Sequence, residues 1–330
     1  MQGRQDTEFL PPRLLRSAFL QTALSSLGLR AAGKNPMADA SREVILDAGG
    51  GVRLQGFHAQ VRGRPARGLA VLLHGWEGSA GSTYILHTGK ALFSEGYDVF
   101  RLNLRDHGQT HHLNRGLFYG TLLEEVFEGV ARAASLSRGG PVLLAGFSLG
   151  GNFALRIARR IEDNPVMRLS HVLAVSPALD PASATDSIDA HPFLHWYFRR
   201  KWKRSLLRKQ ALFPDLYDFS PVLREGTIRG ITESLIRASG MYGSADEYFR
   251  SYAIGARDLE GVGTPVTIVH SRDDPAVPVG DFTGLLLASN HRLVIHRYGG
   301  HNGFLYGPRA LSWYEREALR ILRQEGTDHG

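Results

Sequence analysis

The sequence predicts an α/β fold with a mostly parallel central sheet flanked by helices, and three observations carry that prediction. Short apolar-rich runs recur at Leu69–Leu73, Asp98–Leu104, Val142–Ala145, Val172–Val175, Thr264–Val269 and Leu293–Ile295; runs of this length without alternation suit strands buried on both faces. Helix-period stretches separate them, at Tyr84–Glu95, at Leu122–Leu136 and after Gly151, which makes successive βαβ units with right-handed crossovers. The alternation lapses between Pro177 and Leu259, where only helix-like stretches such as His195–Leu212 and Asp246–Tyr252 occur. An insertion of this kind before a resumed strand reads as a helical cap, at about residues 181–258, over the C-terminal edge of the sheet.

The remaining elements follow from local chemistry. Residues 1–40 read as an N-terminal arm: Pro11-Pro12, an amphipathic helix around Leu14–Leu29, and the polar linker Gly33-Lys-Asn-Pro36. Alternating runs at Val44–Asp47 and Val52–Phe57 flank Gly49-Gly-Gly51 and predict an antiparallel hairpin. A helix from Pro308 to Arg323 closes a single domain spanning residues 41–330.

Composition narrows the function. With 330 residues and 43% hydrophobic content the chain can bury a sizeable core. The absence of cysteine excludes disulfides, thiolate nucleophiles and cysteine-held metals, and fits a reducing, cytoplasmic setting. A net charge of +7 with pI near 9.8 is a small excess, so charge is informative only where it clusters. No apolar run reaches the roughly 18–20 residues of a membrane span. The stretch Ala18–Leu29 is broken by Gln21, Thr22, Ser25 and Ser26 and followed by Arg30, which reads against a secretion signal.

Chemistry concentrates in three loops. Gly146-Phe-Ser-Leu-Gly150 stands between a buried strand and a helix, the context of a G-x-S-x-G nucleophile elbow. Ser148 is therefore the predicted nucleophile. The resumed strand ends in His270-Ser-Arg-Asp-Asp274 before Pro275, placing a carboxylate in the loop where the triad acid belongs; Asp274 is preferred by its spacing from Pro278, with Asp273 as runner-up. The last strand ends in Tyr298-Gly-Gly-His301, and His301 is the predicted base. Oxyanion donors are expected from the backbone N–H of Leu149, next to the nucleophile, and of Trp76, in the loop after Leu73. His74 reads as a residue bracing that loop. His107, His111 and His112 beside Asp106 lack the spacing of a metal site, and no metal or cofactor is expected.

The segment Phe193–Phe213 mixes aromatic residues with Arg199, Arg200, Lys201, Lys203 and Arg204. Two readings stand side by side: a basic amphipathic helix meeting an anionic membrane surface or an acyl chain, or a cap helix with its cations in solvent. Nucleic acid is not expected, because no binding module accompanies the patch.

Phe19–Thr22, His74–Ser79 with Tyr84, Gly146–Asn152, Tyr242–Phe249, His270–Pro275 and Gly299–Phe304 together resemble the YheT-like, or AB-hydrolase-4, group of α/β-hydrolases. The resemblance implies an α/β-hydrolase fold and esterase activity on short- to medium-chain acyl esters, with some members transferring acyl groups to alcohols. It places the triad on Ser148, Asp274 and His301. The group usually has histidine where Phe19 stands, and often Arg-Gly where this chain has Arg105-Asp-His-Gly108. The predicted function is a carboxylesterase acting through an acyl-enzyme on a small acyl ester. Transfer to an alcohol is one alternative, and a membrane-associated binding protein on the same scaffold is another.

Overall fold

The computed structural model describes residues 9–26, 33–306 and 311–327. Strands β1 (Ser41–Asp47) and β2 (Arg53–Ala59) form the antiparallel hairpin around the three glycines. Strands β3 (Leu69–Leu73), β4 (Asp98–Leu102), β5 (Val142–Phe147), β6 (Leu169–Val175), β7 (Val266–Ser271) and β8 (Arg292–His296) follow in chain order. They join one sheet in the order β1-β2-β4-β3-β5-β6-β7-β8. All neighbouring pairs on the β4-to-β8 side of the sheet are parallel, and β2 alone runs against both of its neighbours, β1 and β4.

The apolar runs are buried on both faces for the reason the sequence suggests. On β3, Leu69, Val71 and Leu73 point into one core layer and Ala70 and Leu72 into the other. The first layer is covered by α4 (Leu123–Ser135) and α5 (Leu149–Arg160), the second by α3 (Thr83–Ser94) and the closing helix. That closing helix spans Trp313–Thr327. It starts later than the sequence suggests, because Leu311–Ser312 pair with Leu305–Tyr306 as a small two-stranded ribbon; the predicted start at Pro308 lies outside the described residues. At the other end the expected helix over Leu14–Leu29 is shorter: a 3₁₀ turn at Arg13–Leu15, then α1 (Ala18–Ser26), with the last predicted residues outside the described ones. A single turn, α2 (Pro36–Asp39), precedes β1.

Between β6 and β7 lie α6 (Pro181–Ala190), α7 (Pro192–Leu212), α8 (Ile228–Ser239) and α9 (Ala245–Arg250). Asp180 caps α6 by accepting from Ala182 and Ser183 N–H, and Pro181 and Pro192 stand at first helical positions, where the missing N–H costs nothing. The basic run on α7 is neither wholly solvated nor wholly displayed. Arg199 donates to the Glu225 carbonyl, Lys201 to that of Glu77 and Lys203 to that of Leu223, leaving Arg200 and Arg204 exposed.

Farther along α7, Lys209 is fully buried and donates to Asp106 Oδ1 at 2.8 Å and to the carbonyls of Asn114 at 2.7 Å and His111 at 3.3 Å. Asp106 Oδ2 accepts from Phe118 N–H at 2.9 Å. This ion pair ties the helix to the loop after β4, and every polar atom in it has a partner. Removing one member leaves the other charge buried alone, which costs about 3–5 kcal/mol. Lys209→Met is accordingly expected to lose stability of that order in urea denaturation, and Lys209→Met with Asp106→Asn to regain part of it. A loss under about 1 kcal/mol, the range of exposed pairs, would show that water reaches the site.

Candidate active site

Ser148 stands at the turn where β5 gives way to α5, with φ 54° and ψ −118°. Such a conformation costs a side-chain-bearing residue on the order of 1–3 kcal/mol and persists because its surroundings leave no other path. A Cβ on Gly146 would sit 2.1 Å from the Gly150 carbonyl oxygen, and one on Gly150 would sit 2.5 Å from the carbonyls of both Leu73 and His74. Glycine at both positions lets the helix start directly against the sheet, and the serine is thrust above it. Asn152, fully buried one turn on, donates 2.9 Å hydrogen bonds to the carbonyls of Ala178 and Tyr252, so α5 also anchors the segments entering and leaving the inserted helices.

Asp274 and His301 meet beyond the ends of β7 and β8. His301 Nδ1 lies 2.9 Å from Asp274 Oδ2 and 3.1 Å from Oδ1. Asp274 is buried, and its Oδ1 also accepts from Ala276 N–H at 2.8 Å and Val277 N–H at 3.0 Å. Burial alone would raise its pKa, but His301 and these donors outweigh that and hold the carboxyl below its ordinary value. The neighbouring Asp273 points away and accepts from Gly300 N–H at 2.9 Å, bracing the turn that carries the histidine. Asp274, the aspartate that the sequence prefers over Asp273, is therefore the one His301 contacts. Ser148 and His301 line the same cavities, and no hydrogen bond joins them among the described residues.

The loop after β3 is braced at nearly every polar atom. His74, fully buried, accepts from Leu104 N–H at Nε2 and donates from Nδ1 to the Gly75 carbonyl, the bracing role expected of it. Gly75 N–H donates to Tyr84 Oη at 3.0 Å and Glu77 N–H to His107 Nε2 at 3.1 Å. Between them Trp76 N–H has no acceptor among the described residues, nor has Leu149 N–H at the head of α5. His107 and His111 are engaged away from any shared centre, His111 Nε2 lying 2.7 Å from Ser205 Oγ.

Two cavities open on Ser148 and His301. One, of about 110 Å³, is apolar and roofed by α6–α9 through residues such as Ile188, Trp202, Leu235 and Phe249. The other, of about 310 Å³, has a mixed polar and aromatic lining and reaches Lys201, Glu77 and Ser82. Trp76 and Phe198, stacked with centroids 5.4 Å apart and 8° between planes, border both.

Sequence reasoning missed the partners that α1 supplies. Thr22 Oγ1 accepts from His301 N–H at 2.9 Å, and Gln21 donates to the Leu305 carbonyl at 3.2 Å while accepting from Leu305 N–H at 2.7 Å. The signal was present: Gln21 and Thr22 interrupt an otherwise apolar helix, and a buried glutamine needs partners.

A parallel sheet with a strained serine at the strand–helix turn and a paired histidine and aspartate past later strands defines an α/β-hydrolase. Residues 64–292 match the serine aminopeptidase S33 family, and the chain belongs to that family of hydrolases. Its relatives include phospholipase ABHD3 of Mus musculus, 25% identical over 80% of this chain; the match spans 65% of that protein, just under two thirds of its length. A candidate esterase of Synechocystis sp. is 24% identical and aligns over 94% of this chain and 95% of its own. Among solved structures, the esterase Pf2001 of Pyrococcus furiosus shares the fold with a TM-score of 0.57 at 15% identity, over 89% of this chain and 95% of that one.

The buried Asp274 has a consequence for stability. Because its folded pKa is depressed, its contribution is fully present above the unfolded value of about 3.9 and is lost as pH falls through the folded one. The stability gap between wild type and Asp274→Asn, read by urea denaturation, is thus expected to narrow below about pH 4. A gap independent of pH from neutrality down to the acid limb would contradict the pairing.

Proposed function

We propose that the protein is a serine esterase of the YheT-like branch that hydrolyses short- to medium-chain acyl esters, with Ser148 as nucleophile, His301 as base and Asp274 as its orienting acid. The observation that carries the reading is His301 held 2.9 Å from a buried Asp274 at the mouth of the cavities that Ser148 also lines. Asp274 accepts from Nδ1, which leaves Nε2 free to act as the base toward the serine.

His301 Nε2 takes the Ser148 proton as Oγ bonds to the ester carbonyl carbon, and the carbonyl π pair moves onto oxygen. The new oxyanion is met by the N–H groups of Trp76 and Leu149, which have no acceptor to give up among the described residues. Removal of one such donor typically lowers kcat by about 10²–10³. Collapse re-forms the carbonyl and expels the alcohol, which takes the proton from the imidazolium. Water then attacks the acyl-enzyme, giving its proton to His301, and departure of the acid returns that proton to Ser148.

The esterase and phospholipase relatives support ester over amide substrates. The size and aromatic lining of the apolar cavity, about 110 Å³, support a short acyl chain. Hydrolysis of p-nitrophenyl esters from acetate to laurate, alongside aminoacyl p-nitroanilides, tests the reading together with labelling by a fluorophosphonate. Wild type is expected to be labelled, to favour the shorter esters and to leave the anilides nearly untouched; Ser148→Ala is expected to lose labelling and at least about 10³-fold in kcat. A folded wild type that neither labels nor cleaves any ester would remove the proposal, and efficient anilide cleavage would move it to an aminopeptidase.

A further inference from the structure

The cavity beside Ser148 that Lys201 borders has no role in the chemistry above, although Tyr197, Phe198 and Lys201 of the basic, aromatic motif of α7 line it. Its described lining holds one permanent cation, Lys201, with Tyr197, Ser82, Thr83 and Glu77 around it. Lys201 Nζ donates to the Glu77 carbonyl and lies 3.5 Å from Tyr197 Oη. An ammonium carries three N–H donors, so Lys201 keeps donor capacity for a ligand while its position is set by the loop that also holds Trp76. Glu77 is the acid in this lining. Burial pushes its carboxyl up to about 7, against the pull of Lys201, so near neutral pH it does not fully cancel the ammonium.

That Ser148 and His301 line two cavities matters because an ester has two halves that leave the tetrahedral carbon in different directions. With the acyl chain in the apolar cavity, the alcohol half lies in the one that Lys201 borders. We propose that Lys201 recognises an anionic group, a carboxylate or a phosphate, on the alcohol half, so that the preferred substrates are acyl esters of acidic alcohols. The assignment of each half to its cavity rests on the esterase reading; the anion site itself does not.

Matched butyrate esters of glycerol, of glycerol 3-phosphate, of 3-hydroxypropanoate and of choline supply neutral, phosphate, carboxylate and cationic alcohols. For wild type, kcat/KM is expected to favour the two anionic esters over the neutral one by at least about 10-fold, the scale of a charge-assisted hydrogen bond. In Lys201→Gln, which keeps a donor toward Glu77, that ratio is expected to fall toward unity, and in Lys201→Arg to persist. Preference for one anion alone identifies which group the site reads. A ratio near unity in wild type, preference for the choline ester, or a ratio unchanged in Lys201→Gln would overturn the proposal. Calorimetric titration with glycerol 3-phosphate against glycerol provides a readout independent of turnover: wild type is expected to bind the phosphate at least about 10-fold more tightly than Lys201→Gln does. Loss of all ester cleavage with that binding intact would count against the esterase reading and not the anion site, whereas no binding by wild type would count against the site.

Discussion

The close approach of α5 to the sheet is the constraint on which the rest of the molecule depends. With Gly150 against the carbonyls of Leu73 and His74, and Gly146 against Gly150, the helix cannot start farther away and the chain cannot round the turn in a relaxed conformation. Ser148 takes the strain. The same approach brings the loop after β3 alongside the first turn of α5, which is why Trp76 and Leu149 border one cavity. A fully buried β3 and β5 supply the rigid floor that makes the strain tolerable.

The inserted helices are joined to that floor by polar contacts as much as by apolar packing. Lys209 reaches Asp106 beneath α7, and Lys201 reaches Glu77 at the cavity wall. One helix thereby touches the loops after both β3 and β4, and it also stacks Phe198 on Trp76. Charged side chains on a cap helix usually suggest solvent or a membrane surface. Here the stems of Lys201 and Lys209 carry their charges inward to carbonyl and carboxylate oxygens, which satisfies the buried Lys209 fully and leaves Lys201 a donor toward the cavity it lines.

The histidine loop depends on a segment from the opposite end of the chain. Two glycines free the backbone at His301, and freedom of that kind needs compensation if the imidazole is to stay against Asp274. Thr22 and Gln21 of α1 provide it from one side and Asp273 from another. A Cβ on Gly300 would lie 2.5 Å from the Ala18 carbonyl, so the helix and the loop are packed backbone to backbone.

Local pattern in the sequence was enough to specify the fold class, the strand order along the chain, the inserted helices and the serine turn. These depend on periodicity, on glycine at a tight turn and on the length of apolar runs, all of which act between near neighbours. The pattern also singled out His301 and two adjacent aspartates, with Asp274 preferred. Which carboxylate meets the imidazole is visible only in the tertiary structure, because it depends on which one the β7 loop turns toward a residue 27 positions away. The roles of Gln21 and Thr22, the burial of Lys209 and the inward turn of Lys201 were likewise settled only in three dimensions. Each pairs groups separated by roughly a hundred residues or more, and a polar side chain in a sequence does not show whether its partner is water or a distant carbonyl.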